Sequence, residues 1–101
     1  MKCEPGDSVR LYAGTKEGRP DVVMRETEGR LVVLTGTTTD RSDVPHERVS
    51  VPSAQGRALG LAATTWFTAR GVEVASPGRI DRVVGRCPPS LFLRLARLIG
   101  V

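Results

Sequence analysis

Short stretches of alternating apolar and polar residues run through most of the chain, and a period of two marks a strand with one buried face. Ser8-Val9-Arg10-Leu11-Tyr12 shows the pattern first. Asp21-Val22-Val23-Met24 follows, with Pro20 suited to the start of a strand. Arg30-Leu31-Val32-Val33-Leu34-Thr35 is a continuous apolar run, short enough for a buried central strand. The turn Glu26-Thr27-Glu28-Gly29, with glycine to supply positive φ, joins these two runs into a predicted hairpin. Residues 36–45 are polar and turn-forming, Arg48-Val49-Ser50-Val51 returns to alternation, and residues 52–60 read as loop or one helical turn. Strand propensity resumes from Leu61 to Arg70, breaks at Gly71, and continues in Val72-Glu73-Val74. Beyond the Pro77-Gly78 turn, Ile80 to Val84 forms another strand.

The final segment changes period. Leu91, Leu95 and Leu98, together with Phe92 and Ile99, recur at helical spacings, and Arg94 and Arg97 share a face expected to meet solvent. Pro89 suits a first-turn position and Gly100 a C-terminal stop. The pattern predicts an α+β, mostly β fold. Five to seven short strands form a small barrel-like antiparallel sheet with a C-terminal helix. A length of 101 residues fits a single domain spanning 1–101, and no internal repeat or low-complexity segment divides it.

Composition narrows the setting. No apolar run approaches the roughly 20 residues of a membrane span, so no membrane association is expected. The N-terminus lacks the apolar core of a signal peptide, so a cytoplasmic location is expected. In that reducing setting Cys3 and Cys87 read as free thiols. Charge is uneven: residues 1–50 carry eight basic and nine acidic side chains, whereas residues 51–101 carry seven arginines and two acids, for net charges of −1 and +5. Of the 15 basic residues, 13 are arginine, whose planar fork binds phosphate and carboxylate bidentately. A polyanionic partner, nucleic acid or an acidic protein segment, fits this balance, although an arginine-rich surface also arises from codon bias.

Conventional catalytic constellations are missing. The single histidine, His46, has no nucleophile in a recognisable context and reads as a solvated loop residue. The cysteines lack metal-ligand spacing, Gly56 to Gly60 is not a nucleotide loop, and Asp40 and Asp43 read as loop or cap residues, so no metal or cofactor is expected. What remains is arginine, threonine and backbone amides. RNA carries its own nucleophile, the 2′-OH, so a protein that orients it and stabilises charge on the phosphoryl oxygens needs none.

Four motifs then fall in order along the whole chain: Gly6-Asp7 before the first strand, Gly18-Arg19-Pro20 before Val22-Val23, Thr37-Thr38-Thr39 after an apolar strand with Pro45 beyond it, and Arg82-Val83-Val84-Gly85-Arg86-Cys87-Pro88-Pro89-Ser90-Leu91 at the close. In these the chain resembles the MazF/PemK toxins of type II toxin–antitoxin systems. The resemblance implies an SH3-like barrel, a two-fold homodimer and metal-independent, sequence-selective cleavage of single-stranded RNA. It also implies inhibition by an antitoxin whose acidic C-terminal tail lies across the RNA site. By the same match Arg19 stabilises charge and handles the proton at the scissile phosphate, Thr38 is its hydroxyl partner, and Thr37 and Thr39 line the pocket. Lys16, in a loop shorter than is usual for the family, is a candidate phosphate contact. Asp21 replaces the customary small apolar residue after Arg-Pro, where pairing with Arg19 would orient it or quench it.

Trp66 and Phe67, adjacent in a strand, point to opposite faces. One belongs to the core, and the other is left to stack on a base or seal a dimer. Burial is the plainer role for each, and Trp66 is the candidate for contact with a base. Two further readings keep the barrel and change the task. A gyrase poison like CcdB depends on a Trp-Gly-Ile ending, whereas this chain closes Leu98-Ile99-Gly100-Val101. The other is a non-catalytic SH3-like binding module.

Overall fold

The computed structural model describes residues 3–12 and 20–100. β1 (Asp7–Leu11), β2 (Asp21–Thr27), β3 (Arg30–Thr37), β4 (Glu47–Val49), β5 (Thr65–Ala75) and β6 (Ile80–Arg86) form one curled antiparallel sheet in the order β4-β5-β3-β2-β1-β6. Two helices complete it, the short α1 (Ala54–Leu59) and the C-terminal α2 (Pro89–Ile99). The result is a small α+β half-barrel with six strands among the described residues. No helix among the described residues is long and apolar enough to cross a membrane.

The expected hairpin forms between β2 and β3, through a two-residue loop at Glu28-Gly29 with φ of 52° and 76°. Positive φ at both loop residues matches the right-handed twist of the flanking strands. β3 is central, pairing β2 on one side and β5 on the other, as its unbroken apolar run implies. Both faces of this hairpin are buried. Val22, Met24 and Leu34 face one core with Phe67, Leu91 and Leu95, while Val23, Leu31 and Val33 face a second with Val9, Leu11 and Ile80. Burying each such side chain contributes about 1.5–3 kcal/mol.

α2 seals the first core with Leu91 and Leu95, one turn apart and fully buried, and it ends at Gly100 in the left-handed conformation. Its arginines differ from expectation. Arg94 is not simply solvated: its Nε donates to Glu47 Oε1 at 2.9 Å and its Nη2 to Gln55 Oε1 at 3.3 Å, tying α2 to β4 and α1. Arg97 is exposed.

Two local readings change, and the choice between loop and helical turn at residues 52–60 is settled. Residues 61–64 lie outside any strand, and β5 begins at Thr65. Residues 54–59 form a true helix, capped by Ser53 Oγ, which accepts from Gly56 N at 3.0 Å. Gly71 does not end β5, which continues to Ala75.

Cys3 and Cys87 are free and buried, one in each core. Burial, against the opposing pull of Arg86 and Arg94, raises the Cys87 thiol from 9.0 to about 11. The folded chain therefore holds this proton more tightly than the unfolded chain. The stability it contributes is full below pH 9.0 and is lost as pH rises towards about 11. Thermal melts from about pH 8 upward are expected to show a steeper loss for wild type than for Cys87→Ala; parallel curves would contradict this account.

Candidate functional site

Two strands and the turn after one of them build an open groove of about 360 Å³. Thr35, Thr37, Thr39 and Arg41, from β3 and the segment that follows, line one wall; Trp66, Thr68 and Arg70 of β5 line the other, with Glu73 farther along. Both walls keep a period of two, so these side chains share the face opposite those of Thr65 and Phe67, which are buried.

The groove depends on an irregularity in the β3–β5 ladder. Leu34 pairs with Val72 and Gly36 with Phe67, so a single β3 residue, Thr35, faces the four β5 residues from Thr68 to Gly71. Extra residues on one strand of a pair bulge outward and re-aim side chains. The bulge presents Arg70 at the groove, and Gly71 lets it close back on β3. A Cβ at Gly71 would lie 2.0 Å from the Thr35 carbonyl oxygen. The break in strand propensity at Gly71 is therefore a bulge within one strand.

Trp66 is the aromatic centre of the site. It is half-buried, pairs in register with Thr37 on β3 and Arg48 on β4, and carries the Arg48 guanidinium 5.4 Å from its ring centroid. That distance permits a cation–π attraction of about 0.5–1 kcal/mol at an exposed site. Phe67, its neighbour, is fully buried, which settles the expected division between the two rings.

Beyond β3 the chain folds over through its own hydroxyls and carboxylates. Thr37 Oγ1 accepts from Thr39 N at 3.1 Å, and Asp40 Oδ1 accepts from Ser42 N at 2.8 Å. The Ser42 side chain first and its backbone N–H second, with smaller help from His46 and Arg48, hold the Asp40 carboxyl below its ordinary range. Arg41 pairs locally with Asp43, its Nε 3.3 Å from Oδ1. Arg48 and Arg70 are exposed and make no ion pair among the described residues. His46 is half-buried, with Nδ1 2.8 Å from the Val44 carbonyl oxygen. A carbonyl only accepts, so Nδ1 is the donor there and Nε2 is left for other partners. His46 lies with Glu47, Arg94 and Arg97 in a separate depression against α2.

Of the residues that the sequence pointed to, Thr37, Thr39 and Trp66 meet in this groove. Thr38 is exposed in the bend after β3 and does not line it. Lys16 and Arg19 lie outside the described residues. Asp21 is fully buried on β2 opposite Val9, and its suggested pairing with Arg19 also lies outside the described residues. The sequence reading missed Arg41, Arg70 and Arg48. The alternation 35, 37, 39, 41 was available to find the first, but Arg70 and Arg48 needed the bulge and the β4–β5 register. No protein-family model matches the chain, and neither does any curated protein.

Proposed function

We propose that the chain is a MazF/PemK-like toxin, a metal-independent endoribonuclease that cleaves single-stranded RNA and so arrests translation and growth. In this reading the half-barrel is SH3-like, the active form is a cytoplasmic homodimer, and a cognate antitoxin blocks the site with an acidic C-terminal tail. One observation carries the reading. A groove of threonine hydroxyls, one tryptophan and Arg70, which makes no ion pair among the described residues, takes in two threonines of the Thr37-Thr38-Thr39 motif and, with Glu73 only at its far end, suits a single-stranded polyanion.

The chemistry is in-line attack. The 2′-oxygen bonds to the adjacent phosphorus as its proton leaves, and the bond from phosphorus to the 5′-oxygen breaks as that oxygen gains a proton. A 2′,3′-cyclic phosphate and a 5′-hydroxyl result. The protein orients the 2′-OH and neutralises the pentacoordinate phosphorane, tasks for threonine hydroxyls and arginine forks. Arg19 is assigned the charge-stabilising and proton-handling role and Thr38 the hydroxyl role, both on the resemblance. Thr37, Thr39 and Lys16 contact the substrate.

The test is cleavage of single-stranded RNA in EDTA by wild type, Arg19→Ala and Thr38→Ala. Wild-type cleavage that both substitutions abolish supports the assignment. Persistent cleavage in both removes these residues from the site, and cleavage that EDTA abolishes contradicts a metal-free reaction.

A further inference from the structure

We infer that Trp66, capped on one face by Arg48, is a stacking platform for one unpaired nucleobase of single-stranded RNA, with Arg70 as the contact to the neighbouring phosphate. The inference rests on the RNA reading above but makes its own demands.

Trp66 lines the groove, and Arg48, which stands over its ring, does not. Strand pairing fixes the arrangement on both sides, since Trp66 stands between Thr37 and Arg48 in register. A ring held by its own ladder and by a guanidinium loses little freedom when a ligand stacks on it. An indole left partly exposed beside hydroxyls is a poor use of apolar surface unless something flat covers it. Every base has a π-face, and stacking therefore tolerates sequence. The bases of a duplex are already stacked on each other, which restricts the platform to single strands.

The charge points the same way. Arg41 is partly neutralised by Asp43, whereas Arg70, carried out by the bulge, is exposed and without an ion pair among the described residues. The threonine hydroxyls of Thr35, Thr37 and Thr39 on the facing wall donate and accept, and so can meet a base edge or a ribose oxygen. An acidic peptide would satisfy the arginines but has no use for the open indole face. The occupant chosen is therefore a nucleotide.

Trp66 is the single tryptophan of the chain, so its fluorescence reports on this site alone. The full chain is titrated with single-stranded 2′-O-methyl oligoribonucleotides of about eight nucleotides, which lack the 2′-OH nucleophile and cannot be cleaved. Oligo(A), oligo(C), oligo(U), a duplex of equal length and an acidic peptide serve as probes. Saturable quenching by the single strands is expected, with little by the duplex. Trp66→Leu, followed by anisotropy of labelled oligonucleotide, is expected to bind about 5- to 150-fold more weakly with an unchanged salt slope. Trp66→Phe restores most of the affinity, which separates stacking from folding. Arg70→Ala lowers the salt slope by about 0.7 and leaves quenching at saturation intact.

Binding of RNA with unchanged fluorescence, and equal affinity in Trp66→Leu, overturns the platform and leaves the ribonuclease reading standing. Quenching and stacking without cleavage of unmodified RNA supports the platform and overturns the ribonuclease. Quenching by the acidic peptide alone, or binding by none of the probes, overturns the platform.

Discussion

Phe67→Ala is expected to lower the unfolding free energy by about 3–5 kcal/mol. The ring is fully buried in the core that α2 closes, among Val22, Met24, Leu34, Leu91 and Leu95. On β5 it stands between Gly36 of β3 and Glu47 of β4, its cross-strand partners. Gly36 has no side chain to move into the vacated space, and both neighbouring backbones are held in their ladders. The site therefore collapses poorly, which places the cost in the upper part of the range for aromatic truncation. A domain of this size has about 5–15 kcal/mol in all, so the loss takes a fifth or more of the total. Melting temperature should fall by at least about 12 °C. Urea melts check the result, with an unchanged slope showing that stability, not compactness, has altered. A loss below about 1 kcal/mol would contradict the packing described.

The second large effect is Gly71→Ala. The new Cβ would lie 2.0 Å from the Thr35 carbonyl oxygen and 3.1 Å from its carbon. These are backbone atoms in a paired strand, so relief requires β3 and β5 to part where they build the groove. Overpacking of this kind costs about 1–3 kcal/mol. Gly78→Ala, where nothing lies within 4 Å, is the matched control and should stay within about 0.5 kcal/mol. Gly71→Ala should also weaken binding of the oligonucleotide probes at temperatures where it remains folded, because the two strands that must separate carry the two walls. Full stability together with unaltered binding would mean that the bulge is not what shapes the groove.

The legibility of these elements in the sequence followed their physics. Strands β1, β2, β3 and β6 were readable because each has a short apolar period of its own, and the β2–β3 hairpin because Glu28-Gly29 can only be a tight turn. α2 was readable because Leu91 and Leu95 stand one turn apart between proline and glycine stops. α1 was less so. Its six residues are too few for a period to show, and its cap and packing against the sheet decide it.

The site divides in the same way. Thr37 and Thr39 were visible in an ordered motif and Trp66 as an aromatic in a strand, and they do share a groove. Arg70, on the same strand as Trp66, was invisible because the bulge that presents it is a mismatch with β3, and Arg48 because no local pattern says which residue of another strand will flank Trp66. The salt bridge of Arg94 to Glu47 spans 47 positions and was missed for the same reason.

By itself the sequence determined strands β1, β2, β3 and β6, the C-terminal helix, the turn at Glu28-Gly29, the opposed facing of Trp66 and Phe67, and the arginine-rich charge. Each is set by neighbours within a few residues, through side-chain period or backbone φ. Only the tertiary structure decided that β3 would lie between β2 and β5, that the ladder would slip between Leu34 and Gly36, and that Arg48 would sit over Trp66. Those are contacts between segments far apart in the chain. Their register is chosen when two cores are filled at once, and Gly36 and Gly71 permit the close approach that this choice demands.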